Sequence, residues 1–431
     1  MKHSKKIITI LLILCFSFTL FLPVAFSATS SAKGKVILEF WSFWGSATRR
    51  PIIEKMVSDF NKSQNRIFVK YVFVPWGDIW TKNLAAIAAG NPPNAIINDI
   101  NTVAHRAKNK QNTDLTPFIG TGDLSKRYFP ALWKTVLYNG KPYALPFNTD
   151  TRLLFYNKKQ FKEVGLNPEK PPKTWAELES YAKKLDKKTG AFYTRIGFYP
   201  LYGNYGATSW MINADKGRNF ITDDGQILVN TPAKVQALEW INKWTNRLGR
   251  NAVNAFQAQF GSAQANPFIA GKLSMIAEVA TFYTQIRDYG KDMEWGVAPI
   301  PEKTPGNGNW SWGGGFVAEI PYGAKHQPES FQFIRYLTDV QAQKYWAIKN
   351  FDIVANERAF KDAEMMKLPV LQAAKENMKW TVITPIPIYA PDYLSLINPN
   401  IDAALLGKMT PKAALDKAQK AVEDLVAQNK K

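Results

Sequence analysis

Gly140-Lys-Pro-Tyr-Ala-Leu-Pro-Phe-Asn-Thr-Asp-Thr-Arg-Leu-Leu-Phe-Tyr-Asn-Lys158 decides how this chain is organised. Tyr143 to Pro146 ends one short extended run at a proline, and Arg152 to Tyr156 forms a second, apolar and aromatic apart from its first residue. Asn148 to Thr151 is a polar bend held between these two stiff segments, the pattern expected of a hinge. A helix follows and closes at Gly165-Leu166. Beyond the corner Pro171-Pro172, Thr174 with Glu177 three residues on makes a capping box that opens a helix over Trp175–Asp186.

Working outward towards the N-terminus, Lys35 to Trp41 predicts a strand. Pro51 to Asn61 predicts a helix, with Ile52, Ile53, Met56, Val57 and Phe60 on one face. Arg66 to Val74 alternates as a second strand, Trp76 to Ala89 is a helix stopped by Gly90-Asn-Pro-Pro, and Ala95 to Asn98 is a short buried strand. That succession is the signature of a parallel α/β sheet. On the other side of the bend, Arg195–Phe198 predicts a strand leading into an aromatic loop, Tyr199 to Gly206. Phe220 to Val229 predicts a hairpin with an Asp-Gly turn, and Pro232–Leu248 an amphipathic helix. A buried strand ends near Glu278, another covers Glu294–Pro301, and Ser311–Ile320 is extended. Helices are expected over Pro328–Thr338, over Asp339–Ala347 and from Pro411 onward. Extended segments near 148–152, 315–319 and 351–354 would join two lobes, each discontinuous in sequence.

The N-terminal residues Met1 to Ser27 combine Lys2, Lys5 and Lys6 with an apolar core and small residues before Ala28, which predicts a cleaved secretory signal peptide. Export across the inner membrane to a periplasmic or cell-surface location is expected. Cys15 is preceded by Leu14 rather than a small residue, which argues against a lipoprotein anchor. Cleavage would leave 404 residues without cysteine, hence no disulfide, and no later stretch long and apolar enough to span a membrane. It would also take three lysines with it, lowering the formal charge from +20 to about +17. The cations are dispersed rather than gathered in a stripe, so nucleic acid is not an expected partner; a solvated basic surface, an anionic membrane or wall polymer, and an anionic ligand are the alternatives.

Gly140-Lys-x-Tyr143-x-Leu-Pro146, then Leu154-x-Tyr-Asn-Lys158, Val164-Gly-Leu166 and Pro171-Pro-x-Thr-Trp175, resembles the first inter-lobe crossing of the family 1 extracellular solute-binding proteins, the sugar receptors of ABC importers. Phe60-Asn61 with Ile67–Val69 and Trp76, Phe268-x-x-Gly-Lys-x-x-Met275, and Trp295–Pro301 followed by Gly313-Gly-Gly315 extend the resemblance over nearly the whole chain after residue 27. Two departures stand out: Phe351–Asn356 lacks the proline common after the third crossing, and Asn94 replaces a usual aspartate. The resemblance implies an α/β, two-lobed periplasmic-binding-protein fold. Each lobe would be a mostly parallel sheet flanked by helices, with residues 35–148 plus 319–352 in the first lobe and 149–318 plus 353–431 in the second. It further implies an oligosaccharide held between the lobes and delivered to the permease subunits of an importer, by a monomer without cofactor.

No nucleophile elbow, zinc-protease motif or phosphate loop is present, and His105 and His326 lack metal-spaced partners, so no metal is expected. What recurs is aromatic side chains beside amides and acids in loops after strands, the combination that stacks on the C–H faces of sugar rings and bonds their hydroxyls. The candidates are Trp44 and Ser46 after the first strand; Asn98, Asp99 and Asn101 after the third; and Asn148 and Asp150 in the hinge bend. Tyr202, Tyr205 and Trp210 belong to the aromatic loop and the segment after it, and Glu278 and Phe282 follow a buried strand. Trp310, Trp312, Gly313 and Gly314 precede a crossing, and Tyr393 lies towards the C-terminus. Core packing competes with binding at every aromatic. Trp312 is expected to be a stacking platform cleared by the three glycines after it, and Asp150 to bond ligand hydroxyls at the position where the family carries an acidic ligand-binding residue. Acids outnumber cations in these loops, so a neutral oligosaccharide is expected. The alternatives are an anionic ligand (a uronate oligosaccharide or glycerol phosphodiester) on the same fold, and a secreted carbohydrate-active enzyme, which would need a carboxylate pair.

Overall fold

The computed structural model describes residues 34–429 apart from 191 and 262, so the expected signal peptide lies outside the described residues. Strand β1 (Val36–Ser42) buries Leu38, Phe40 and Ser42 on alternate positions and pairs in parallel with β2 (Ile67–Phe73). Helix α1 (Arg50–Ser63), with Pro51 in its first turn, joins them and buries Ile52, Ile53, Met56, Val57 and Phe60. Helix α2 (Asp78–Ala88) leads to β3 (Ala95–Asp99), which lies parallel to β1 on its other side. The periodicity read from the sequence is therefore the packing face.

Strand β4 (Leu145–Thr149) belongs to the same sheet but is reached only through the chain's later return. It is followed by β5 (Arg152–Asn157), buried at all six positions, then by helices α3 (Trp175–Leu185), α4 (Gly206–Ala214) and α5 (Pro232–Leu248). Strands β6 (Met275–Val279), β7 (Trp295–Pro299), β8 (Ser311–Gly313) and β9 (Gly315–Glu319) come next. Helices α6 (Gln327–Leu337) and α7 (Val340–Asn350) precede β10 (Ile353–Val354); α8 (Pro369–Met378), β11 (Thr381–Ile383), α9 (Tyr393–Leu405) and α10 (Pro411–Asn429) complete the chain.

The first sheet runs β10-β4-β9-β3-β1-β2, and the second β6-β5-β7. The expectation of mostly parallel sheets needs correction. Only β3-β1-β2 is parallel in the first sheet, while β9 and β10 pair antiparallel with their neighbours. In the second sheet β5 is antiparallel to both partners; parallel pairing in this lobe occurs where Ile196 and Gly197 run beside Lys272–Met275, at the Gly203–Ala277 bridge, and between β8 and β11. Apolar alternation identifies strands but carries no direction, so this was beyond sequence reasoning. Of the strand expected over Arg195–Phe198, Ile196 and Gly197 pair beside Lys272–Met275, while Phe192–Arg195 forms a separate ribbon with Lys187–Thr189; the expected hairpin over Phe220–Val229 is a turn closed by one bridge, Ile221 to Ile227.

The expected lobe limits at 319 and 353 also move. Strands β9 and β10 lie wholly in the first sheet, and Tyr128 bridges Asn356 while Phe129 packs on Phe360, so residues up to about 360 stay with the first lobe. Helix α8 then packs on β5 and β7 of the second. The crossings are thus Asp150-Thr151, Gly313-Gly314, and a segment between residues 361 and 368.

A Cβ on Gly315 would sit 2.2 Å from the Asn148 carbonyl oxygen, at a φ of +147°. Gly315→Ala should therefore lower stability by about 2–4 kcal/mol in denaturant unfolding. Gly314, where a new methyl meets nothing closer than 3.8 Å, should tolerate alanine with a change under about 1 kcal/mol. Equal losses at the two positions would contradict this account of the crossing.

Candidate functional site

The C-terminal ends of β1, β3 and β4 meet the start of β9, where Gly315 pairs with Thr149 and Phe316 lies between Asn148 and Asp99. The carboxyl ends of strands at such a junction form the crevice where α/β sheets bind ligands. Asp150 is tied into it: its Oδ1 accepts the Gly314 N–H at 2.7 Å, and its own N–H donates to the Gly314 carbonyl at 3.3 Å. Thr149 Oγ1 donates to the same carbonyl at 2.8 Å.

The first residue of β5 organises the rest. The Arg152 side chain is buried and forms an ion pair with Asp150. Nη1 also donates to the Trp312 carbonyl at 3.1 Å, Nε to the Asn204 carbonyl at 3.2 Å, and Nη2 to Asn204 Oδ1 at 3.4 Å. The guanidinium lies 4.0 Å from the centre of the Trp312 ring. Trp312 donates from Nε1 to Thr384 Oγ1 at 2.8 Å, and the adjoining segment returns to the first lobe where Ile386 N–H donates to the Asn101 carbonyl. Hinge, second lobe and C-terminal segment are thereby linked through one cation.

Beside this hub a cavity of about 500 Å³ opens into the second lobe, bounded by Tyr202, Asn204, Tyr205, Phe256, Phe260 and Glu278. Burial pushes the Glu278 carboxyl up to about 7, against the Val279 N–H and Arg152, which favour its ionised form. Across the crossing, burial raises Asp99 above the usual carboxylate range, and the charge of Asp150 adds in the same direction. Asn101 lies between them: its N–H donates to Asp99 Oδ1 at 2.7 Å, and its side-chain oxygen is buried without a partner.

The seventeen sequence candidates divide. Asp99, Asn101, Asp150 and Gly314 come together at the crossing, Tyr202, Tyr205 and Glu278 around the cavity, and Trp312 beside Arg152. Others are packed into the fold or bonded within it. Trp44 is buried against Phe147 and Trp346, and Trp210 is wholly buried among Trp175, Phe198 and Trp240. Phe282 packs between Phe155 and Phe268, and Tyr393 is buried in the core. Asn98 spends its amide on Glu319, which also pairs with Arg106. Asn148 bonds Asp352 and the Phe316 N–H. Ser46 is exposed and caps the Arg49 N–H, while Trp310 stands edge-on to Trp380. The glycines do not clear a ligand's path over Trp312 as expected. A Cβ on Gly313 would strike Thr381 and the Asp150 carbonyl, so close strand packing demands glycine there, and Arg152 already covers one face of the indole.

Sequence reasoning missed an exposed aromatic group on the first lobe. Trp76 is 60% exposed and stands edge-on to Phe43, Trp80 and Phe316, just beyond the ends of β1 and β2. Its signal was present, an aromatic shortly after a strand and followed by glycine, but the helical pattern from Trp76 to Ala89 absorbed it; the helix begins only at Asp78. Arg152 was read as the polar start of a strand, and Asn204 as a loop residue between two tyrosines.

The model of the family described as "Bacterial extracellular solute-binding protein" matches residues 44–344. The chain is 23% identical over 360 residues to the arabinooligosaccharide-binding protein of Bacillus subtilis, covering 81% of this chain and 80% of that one. It is 24% identical over 435 residues to the sn-glycerol-3-phosphate-binding periplasmic protein of Rhizobium meliloti, covering 92% and 95%. The solved structure of CpMnBP1 with mannotriose bound superposes with a TM-score of 0.79 at 28% identity, over 90% of this chain and 100% of that one.

Because Asp150 neutralises a buried guanidinium, Asp150→Ala should destabilise the ligand-free protein by about 2–4 kcal/mol, and Asp150→Asn, which keeps the Oδ1 acceptor, by less. Thermal unfolding of both variants checks this; an Ala variant as stable as the parent would refute the hub. Glu278 gives a pH test. Its folded-state pKa lies above the unfolded one, so the folded protein holds the proton longer, and stability falls as pH rises from the ordinary glutamate range to about 7. Glu278→Gln should flatten that part of the profile.

Proposed function

We propose, from the premise that this chain belongs to the bacterial extracellular solute-binding protein family, that it captures a neutral oligosaccharide between its lobes and delivers it to the permease subunits of an ABC importer. The observation that carries the sugar reading is the exposed Trp76 face, packed on Phe316 next to Asp99, together with the cavity bounded by Tyr202, Asn204, Tyr205 and Glu278. Flat aromatic surface next to hydroxyl-bonding amides and acids suits a sugar ring on both its faces. The mannotriose-bound neighbour and the arabinooligosaccharide-binding relative support the same class. Closure follows from a ligand that touches both lobes, because only differential contact can shift the open–closed equilibrium.

An anionic ligand is the second reading, favoured by the glycerol-3-phosphate-binding relative and by the chain's positive charge. The cleft argues against it. Its buried cation, Arg152, is already engaged by Asp150, Trp312 and Asn204, and the charged residue that borders the cavity is Glu278. We further assign binding without turnover and a site of action outside the cytoplasmic membrane. The family and the signal-like N-terminus support this location, and no described helix is long and apolar enough to cross a membrane.

Calorimetry with mannose and arabinose oligosaccharides, and with glycerol 3-phosphate, tests this directly. For the bound sugar, affinity should change less than about twofold between roughly 50 and 500 mM salt, whereas an ion-paired ligand would weaken steeply. Trp76→Ala should cost about 1–3 kcal/mol of binding with the ligand-free melting point nearly unchanged, since the ring is largely exposed. Cleavage products after prolonged incubation would overturn the assignment in favour of an enzyme.

A further inference from the structure

Away from the cleft, the facing edges of α3 and α5 border a groove of about 730 Å³ that continues into a hollow of about 310 Å³. From α3 it takes Ala176, Glu179, Ser180, Lys183 and Lys184, the spacing of one helical face. From α5 it takes Gln236, Trp240 and Lys243, then Trp244 and Arg247 one turn on. Lys303, bonded to Gln236, stands at the end opposite Arg247.

Five cations thus face one carboxylate. Glu179 is already held by Trp240 Nε1 at 2.7 Å and Lys243 at 3.7 Å, and Arg247 is partly answered by Asp186. Lys183 and Lys184 form no ion pair among the described residues. Trp244 Nε1 and Arg247 Nη2 are both buried N–H groups without an acceptor, and Trp244 is only 2% exposed. Buried donors left unmatched are costly, but these two nitrogens are enclosed beneath the groove, so the exposed cations along its edges are what a bound molecule would meet.

We propose that this groove binds a linear, phosphate-bearing polyanion, separately from the solute in the cleft. A single anion would not use its length. The lining residues span about 12 Å of α3 and about 16 Å of α5 at ~1.5 Å per residue, room for two or three successive charged groups. Four of the five cations are lysines, compact charges with rotatable donors that suit phosphate oxygens without a fixed planar partner. A surface so placed would tether the protein to an anionic polymer while the cleft stays open to its ligand.

The probe is short linear polyphosphate, titrated into the full-length protein by calorimetry. Binding should be measurable at about 50 mM salt and at least about tenfold weaker at 200 mM, as release of counterions requires. The variant Lys183→Glu/Lys184→Glu/Lys243→Glu should bind at least about tenfold more weakly. A control with the same charge change on the first lobe, Lys62→Glu/Lys70→Glu/Lys325→Glu, should stay within about twofold of the parent. All six lysines are exposed, and matching melting points verify that both variants fold. Equal loss in both variants would reduce the effect to dispersed surface charge and overturn the proposal, as would absence of binding at low salt. Polyglutamate or anionic phospholipid vesicles binding more tightly than polyphosphate, with the same dependence on the groove lysines, would replace it with an acidic protein or a membrane surface.

Discussion

A guanidinium buried in the turn between two lobes must have its donors answered locally, and much of the hinge follows from that requirement. Arg152 draws Asp150, the Trp312 carbonyl and both oxygens of Asn204 into a fixed arrangement, with the indole of Trp312 beneath it. Removing such a charge from water is tolerable only when the partners are complete. Each partner comes from a different segment: the crossing itself, the aromatic loop and the second crossing. The cation therefore fixes the relative position of segments far apart in sequence, and a ligand bonded to Asn204 or Asp150 would act on the hinge directly.

The other buried polar groups near the crossing obey the same rule. Asp352 is fully enclosed and accepts from Asn148, Trp346 and Asn350, and Glu319 answers Arg106 and Asn98. These networks take Asn98 and Asn148 out of the pool that could meet a ligand. An amide near a cleft is as often committed to satisfying its own fold as to recognition, and only the partner identifies which.

The alternation of elements, the hinge bend, the capping box at Thr174 and the core faces of α1 and α5 were legible in the sequence, because periodicity and capping are local. Direction and commitment were not. The antiparallel setting of β5 depends on strands more than a hundred residues downstream, and the core burial of Trp44 depends on Phe147 and Trp346, equally remote. The triple glycine illustrates the difficulty. Glycine announced a close approach correctly, but the approaching groups at Gly313 and Gly315 are neighbouring strands, not a ligand.

The first sheet is assembled from strands spread between Val36 and Val354, with the whole of β5 to β8 inserted between β4 and β9. This has a consequence for how the molecule is born. As synthesis proceeds from the N-terminus, β1, β2 and β3 emerge first but cannot complete their sheet until β9, made more than two hundred residues later, slots between β3 and β4. The second lobe's three-stranded sheet needs only residues 152–299 and can form while the first lobe still waits. Long-range pairing of this kind is slow, because the loop must close before any contact rewards it. The N-terminal half of the chain thus stays unfinished until nearly all of it has been made.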